Sequence, residues 1–192
     1  MGNDRYSNFK ELERDQKLDK DFKLSLRDVS SRVTIIAPHG GKIEPRTSDL
    51  ARLIAGDNYN FYCFEGIKDK DNACLHITSH RFDEPGAVKL ISKSRVVVAV
   101  HACTGEAGLV HIGGLNKKLG NMIANELRNR AINVSDEHPR FQGSNPDNIC
   151  NRGATGIGVQ LEVTRDLRDD PQKIKLIALA VRAALLNFGE AN

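Results

Sequence analysis

Residues that bind metals or move protons recur at the ends of short β-branched runs in this chain. Val33-Thr-Ile-Ile-Ala37 runs into Pro38-His39-Gly40-Gly41-Lys42-Ile43-Glu44, and Arg95-Val-Val-Val-Ala-Val100 runs into His101. Gly158-Val-Gln-Leu-Glu-Val163 carries Glu162 near its end. In open α/β sheets, ligands sit beyond the carboxyl ends of the strands. Two imidazoles and one carboxylate, His39, His101 and Glu44, leave a fourth zinc position open for water, as in a hydrolytic rather than a structural site. Gly40 and Gly41 let the backbone turn sharply, so that His39 and Glu44 can face one point. A carboxylate outside that shell is then needed to take a proton from the attacking water, and Glu162 fits the role. Strand alternation puts Glu162 on a face with Gln160, opposite Val159, Leu161 and Val163. Taken singly, each feature is ordinary: His-Gly-Gly makes turns, a His follows many strands, and Glu162 suits an outward charge. Their joint occurrence at strand ends points to a metal hydrolase. Gly40-Gly41 could instead cradle a phosphate, although no Gly-Lys-Ser/Thr follows. His111 and His138 are expected to be surface or loop histidines.

A second constellation lies at Asn148-Ile-Cys-Asn151-Arg152-Gly153. Arg152 suits a substrate carboxylate, because a planar guanidinium offers two parallel charge-assisted bonds, and Asn148 or Asn151 can add a neutral donor. A solvated Arg beside turn-forming Asn is the competing description. His76-Ile-Thr78-Ser-His80 follows an apolar run and is expected to line the same cleft, with His76 and Thr78 on one face and His80 in the loop.

The elements that must position these residues follow from periodicity. A charged N-terminal extension covers about residues 1–20, with Phe9 and Leu12 marking a short helix. Phe22–Leu26 alternates like an edge strand. Val33–Ala37 reads as a strand buried on both faces and stopped by Pro38. Thr47 or Ser48 is expected to cap a helix closed by Gly56. Strands are predicted at Asn60–Phe64, Ala73–Thr78, Arg95–Val100, Ile132–Val134 and Gly158–Val163. Helices are predicted around Ala87–Ser92, along the stripe Leu115, Leu119, Met122, Ile123, Leu127, and from Pro171 to about Phe188. Ser135–Arg152, rich in Pro, Asn, Asp and Gly, reads as a long loop, and loops of that length in compact domains are often functional. Strands alternating with helices imply a single α/β domain over residues 1–192, with a mixed, largely parallel central sheet flanked by helices.

Bulk properties narrow the classes further. A net charge of +3, from 28 basic and 25 acidic residues, comes with no basic tract, so nucleic acid is not an expected partner. Cys63, Cys74, Cys103 and Cys150 form no C-x-x-C pair, which argues against a zinc finger and for reduced, mostly buried thiols. No apolar signal region opens the chain, and Tyr6 stands where a myristoylation signal needs Ser or Thr. No apolar run is long enough to span a membrane, so synthesis in the cytosol and no membrane partner are expected.

With these residues in place, the chain resembles the poly-γ-glutamate hydrolase family of phage and bacilli over about residues 6–188. The resemblance rests on Ile36-Ala-Pro-His-Gly-Gly-Lys-Ile-Glu-Pro45, Leu75-His-Ile-Thr78 with Phe82-Asp-Glu-Pro85, Val100-His101, Asn148-Ile-Cys-Asn-Arg152 and Gln160-Leu-Glu-Val-Thr-Arg165. It implies a zinc carboxypeptidase-like fold and one zinc ion on His39, Glu44 and His101. It also implies Glu162 as general base and Asn151-Arg152 as a carboxylate-binding pair. The implied substrate is poly-γ-glutamate, an anionic capsule polymer whose free carboxylates would meet Arg152 and Arg165. Such an enzyme would help a phage through a capsule after release by host lysis. The sequence leaves the oligomeric state open, a monomer being the expectation. Lys42 and Arg46 stand where smaller residues are usual, and Cys103 is a soft neighbour to the implied metal. A zinc N-acetylmuramoyl-L-alanine amidase also opens on His-Gly-Gly, but its ligating Glu lies well downstream, unlike the His39-x4-Glu44 spacing. A non-catalytic binder of anionic polymer is the other alternative, against which the intact Glu162 speaks.

Overall fold

The computed structural model describes residues 4–105, 108–135 and 138–190. The elements run α1 (Phe9–Asp15), β1 (Phe22–Arg27), β2 (Val33–Gly41), α2 (Thr47–Ala55) and β3 (Asn60–Gly66), then α3 (Pro85–Ile91), β4 (Val96–Cys103) and β5 (Leu109–Gly113). They continue with α4 (Lys117–Arg128), β6 (Asn133–Ser135), β7 (Val159–Thr164), α5 (Arg165–Asp169) and α6 (Pro171–Glu190). Short 3-10 turns cover Asn72–Leu75 and Ile149–Asn151.

The seven strands form one sheet in the order β1-β3-β2-β4-β7-β5-β6. Its centre, β3-β2-β4-β7, is parallel; β1 and β5 run antiparallel to their central neighbours, and β6 is parallel to β5. This is the mixed, largely parallel sheet expected from the pattern. The apolar runs of β2, β4 and β7 bury both faces, as central strands under helices must. One face packs under α2, α4 and α6 through Val98, Val100, Leu161, Ile177 and Val181. The other packs under α1, α3 and the 72–82 segment through Phe22, Phe64, Phe82 and Ile77. Residues of the charged N-terminal stretch take part in this second core: Tyr6, Phe9 and Leu12 are buried.

The structure departs from several expectations, each for an identifiable reason. β2 continues through Pro38 to Gly41, because its register with β3 shifts between Ala37 and Gly40 and its pairing with β4 ends at Ile36. At such an irregularity a residue without an N–H costs no ladder bond. Ala73–Thr78 is no strand: Asn72–Leu75 winds into a 3-10 turn, and the chain beyond it pairs with no strand. The expected cap of α2 is absent; its N-cap is Arg46, and the Ser48 hydroxyl instead accepts from the Gly41 N–H at 2.9 Å. β5, unanticipated, places His111 buried within the sheet rather than in a surface loop. Within the expected loop, Asp136 and Glu137 lie outside the described residues. Among the described residues, no helix is long and apolar enough to cross a membrane.

Candidate metal centre and active site

The turn after β2 explains why His39 and Glu44 meet. The Glu44 N–H donates back to the His39 carbonyl at 2.9 Å, and the Lys42 N–H donates to Gly66 at 2.8 Å, folding five residues over the sheet end. Both glycines are required there. A Cβ at Gly40 would lie 2.3 Å from Ser48 Oγ and 2.4 Å from Cys63 Sγ; Gly41 has φ +63°, and its Cβ would approach the Gly66 carbonyl to 2.5 Å. Arg168, buried at the far side of the turn, donates to the Pro45 and Val163 carbonyls and so ties the turn to the end of β7.

The turn delivers three donor atoms to one point. His39 Nδ1 lies 3.1 Å from Glu44 Oε1 and 3.2 Å from His101 Nδ1, and His101 Nδ1 is 3.8 Å from Glu44 Oε2. The edge of a tetrahedron with zinc bonds of 2.0–2.1 Å is about 3.3 Å, so these separations suit three ligands of one small ion. Among the described residues, this is the one group of three or more His, Cys, Asp or Glu side chains whose donor atoms converge, and Cys103 is not part of it. Outer contacts hold the ligands in place. His39 Nε2 donates to the Ile77 carbonyl at 2.8 Å, His101 Nε2 is 3.4 Å from Ser79 Oγ, and Glu44 Oε2 accepts from the Ala102 N–H at 2.9 Å.

Burial and neighbours set the charge states of the ligands. Burial, with His39 and His76 nearby, outweighs Glu44 and lowers His101 to about 3, so its ring is neutral and one ring nitrogen offers a lone pair. Burial pushes Glu44 up, but His39, His101 and the Ala102 N–H prevail and hold it below the usual carboxylate range. For His39, burial acts downward, while the Glu44 carboxylate and the Ile77 carbonyl prevail and raise it. The cluster thus keeps an ionised carboxylate between two imidazoles in a buried site, an arrangement that a bound cation would complete.

Glu162 stands beside the cluster by sheet register. It is aligned with His101 on β4 and with His111 on β5, so the three side chains form a row on one face of the sheet. Gln160 Nε2 donates to Glu162 Oε1 at 3.3 Å. Burial and the Glu44 charge raise the Glu162 carboxyl well above its usual value, against Arg140 and Arg168. On the far side, His111, His138 and Phe141 form an aromatic group with ring centroids 4.5 to 4.9 Å apart.

The remaining candidates separate into rim and scaffold. The His76 ring lies on His39 with centroids 4.0 Å apart, and the Thr78 N–H is held by Asp4 at 2.7 Å. His80 is exposed. Arg152 donates one guanidinium nitrogen to the Phe82 carbonyl at 2.7 Å and is half-buried. Asn151 is fully engaged: Oδ1 accepts from the Leu115 and Gly158 N–H groups, and Nδ2 donates to the Gly143 and Asn145 carbonyls. Asn148 Oδ1 accepts from Cys150 N–H, while Nδ2 donates to Gln160 Oε1 at 2.8 Å, which locks the loop onto the Glu162 side of β7. Arg165 is exposed at the start of α5 and paired with Asp169 at 2.6 Å. Asp4, Arg168, His111 and Arg140 are site neighbours that sequence reasoning passed over. The alternation Leu109-Val-His-Ile-Gly113 could have revealed the inward His111, but nothing local marks the other three.

Residues 6–175 match the sequence model of the poly-gamma-glutamate hydrolase family. The chain belongs to that family. Its similarity to UPF0714 protein YmaC of Bacillus subtilis (strain 168) is 39% identity over 169 residues, covering 86% of this chain and 71% of YmaC. The match spans 60% of the SPbeta prophage-derived relative YoqZ and 66% of YndL, so those relatives are substantially longer. Among solved structures, a bacteriophage poly-gamma-glutamate hydrolase superposes with a TM-score of 0.94 at 29% identity, covering 99% of this chain and 100% of that one. The zinc-free apo form of YNDL superposes with a TM-score of 0.90 at 28% identity, covering 97% and 99%. The matched span contains all three residues of the converged His-Glu-His cluster.

Proposed function

We propose that this poly-γ-glutamate hydrolase family member is a zinc-dependent enzyme that cleaves γ-glutamyl amide bonds of poly-γ-glutamate. The observation that carries the proposal is the convergence of His39, Glu44 and His101 on one point, with Glu162 beside His101 in register. One zinc ion held by those three residues would polarise the scissile carbonyl and make water a stronger acid. Glu162 then acts as the general base: it takes the proton of the attacking water and returns it to the leaving amine. Its burial raises its proton affinity, which favours holding the proton between the two steps. Arg152, with donors left beyond its bond to Phe82, and the exposed Arg165 face the carboxylates of an anionic polymer. His76 and Thr78 form the rim on the His39 side. Asn148 and Asn151 act through the loop they lock rather than by touching substrate, since their amide groups are spent inside the protein.

The test is digestion of purified poly-γ-glutamate and of peptidoglycan side by side, with metal analysis of the same preparation. One zinc per chain and shortening of poly-γ-glutamate alone are expected. Muropeptide release with intact poly-γ-glutamate would replace the proposed substrate by that of an N-acetylmuramoyl-L-alanine amidase. Binding of either polymer without cleavage would make the chain a non-catalytic binder.

A further inference from the structure

His39 can present Nδ1 to the cluster only if its other nitrogen carries the proton. That condition is met by the Ile77 carbonyl, which can only accept and lies 2.8 Å from Nε2. The segment bearing Ile77 belongs to no strand or helix, so no ladder holds its carbonyl in place. Besides the buried Ile77 side chain, what holds it is Asp4, from the far N-terminal end of the described chain. Asp4 Oδ1 accepts from His76 Nδ1 at 2.7 Å, and Oδ2 accepts from the Thr78 N–H at 2.7 Å. One carboxylate thus grips the residues on both sides of Ile77. The Arg81 guanidinium, 2.6 Å from Oδ2, completes the grip, and the Asp4 side chain is only 3% exposed. The same contacts set the His76 ring, whose centroid lies 4.0 Å from that of His39.

We infer that Asp4 is a positioning residue for the metal centre: by clamping His76 and Thr78 it fixes the Ile77 carbonyl, and this carbonyl fixes the tautomer and orientation of His39. The inference rests on the zinc reading above for its consequence, but not for its geometry. Groups that orient a ligating His through its second nitrogen typically change metal affinity 10- to 100-fold when lost. Asp4 stands one step further out and acts through two peptide units, so an effect of about tenfold is expected.

Asp4→Asn is the appropriate change, because it keeps the shape but turns one acceptor into a donor facing a donor. Asp83→Asn serves as the control: Asp83 Oδ1 accepts from the Phe9 N–H at 2.6 Å and anchors α1 without touching residues 76–78. Two readouts apply. In metal-free protein at a pH above the raised His39 range, where the ring is neutral, imidazole nitrogen shifts should report a single Nε2–H tautomer of His39 in the parent and in Asp83→Asn, and a mixture in Asp4→Asn. By competition with a chelator, zinc affinity should fall about tenfold in Asp4→Asn and stay within twofold in Asp83→Asn. An unchanged His39 tautomer in folded Asp4→Asn overturns the inference, as does an equal loss of affinity in both variants. If Asp4→Asn does not fold, Arg81→Met, which removes one of the three partners, is read in the same two ways and decided by the same outcomes. If the parent binds no zinc, the zinc reading fails, while the tautomer comparison still decides the role of Asp4.

Discussion

The two faces of the sheet are built from the same strands to opposite ends. On the face under α2, α4 and α6, the strands present Val98, Val100, Leu161, Val163 and Val110, all buried and apolar. One residue along each of three neighbouring strands, the opposite face presents His101, Glu162 and His111 in a row. Period-two alternation therefore lets β4, β7 and β5 serve a dry core and a polar site at once. The lesson is that stability and chemistry are separated by orientation rather than by distance, so neighbouring substitutions should fail in different ways.

The largest expected effect is on the polar face. Glu162→Gln should reduce turnover of poly-γ-glutamate by about 10²- to 10⁴-fold while zinc content and melting temperature stay near those of the parent. Rates within threefold of the parent would remove Glu162 from the chemistry. The adjacent Leu161→Ala should do the reverse. It opens a cavity in the core under the helices and costs about 2–5 kcal/mol in denaturant unfolding, with kcat per folded molecule retained. Should Leu161→Ala lose turnover while remaining fully stable, the separation of faces would be broken.

Smaller effects sharpen the comparison. Arg152→Met should raise KM for the polymer by about tenfold with little change in kcat, since one charge-assisted contact contributes roughly 1.5–3 kcal/mol. An unaltered KM would confine Arg152 to its bond with Phe82. The Asp4 clamp has a pH signature. Burial pushes its carboxyl up, but Thr78 and His76 outweigh this and hold it below 3.8. A depressed carboxyl stabilises the fold above its unfolded pKa and loses that contribution as pH falls through the folded value. The stability gap between the parent and Asp4→Asn should therefore persist from neutral pH to about pH 5 and close in the acid range below 3.8, with His76 and Arg81 as the facing charges. A gap that instead closes above pH 5 would assign it to another group. Least of all, alkylation at pH 8 should label the half-exposed Cys74 first, because burial raises the Cys103 and Cys150 thiols to about 12.

Much of this was legible in the residues, because strand ends and alternation are local signals. The β-branched runs marked the central strands, and His39, Glu44 and His101 converge as the spacing suggested. Other features depended on partners far away in sequence. Pro38 looks like a strand end until a register shift makes its missing N–H harmless. Asn148 and Asn151 look like free donors in a polar loop, yet Gln160, Gly143 and Asn145 accept from their amide groups. Asp4 lies 35 positions before His39, and only the folded chain brings it to Thr78.

The central claim is that the His39–Glu44–His101 cluster holds a zinc ion needed for cleavage of γ-glutamyl bonds. The most direct test is the chain length of purified poly-γ-glutamate after incubation with chelator-stripped protein, with and without one equivalent of zinc. Shortening only after zinc is restored, and none with zinc added to His39→Ala, is the predicted result. Equal shortening by the stripped and the zinc-restored protein would contradict it.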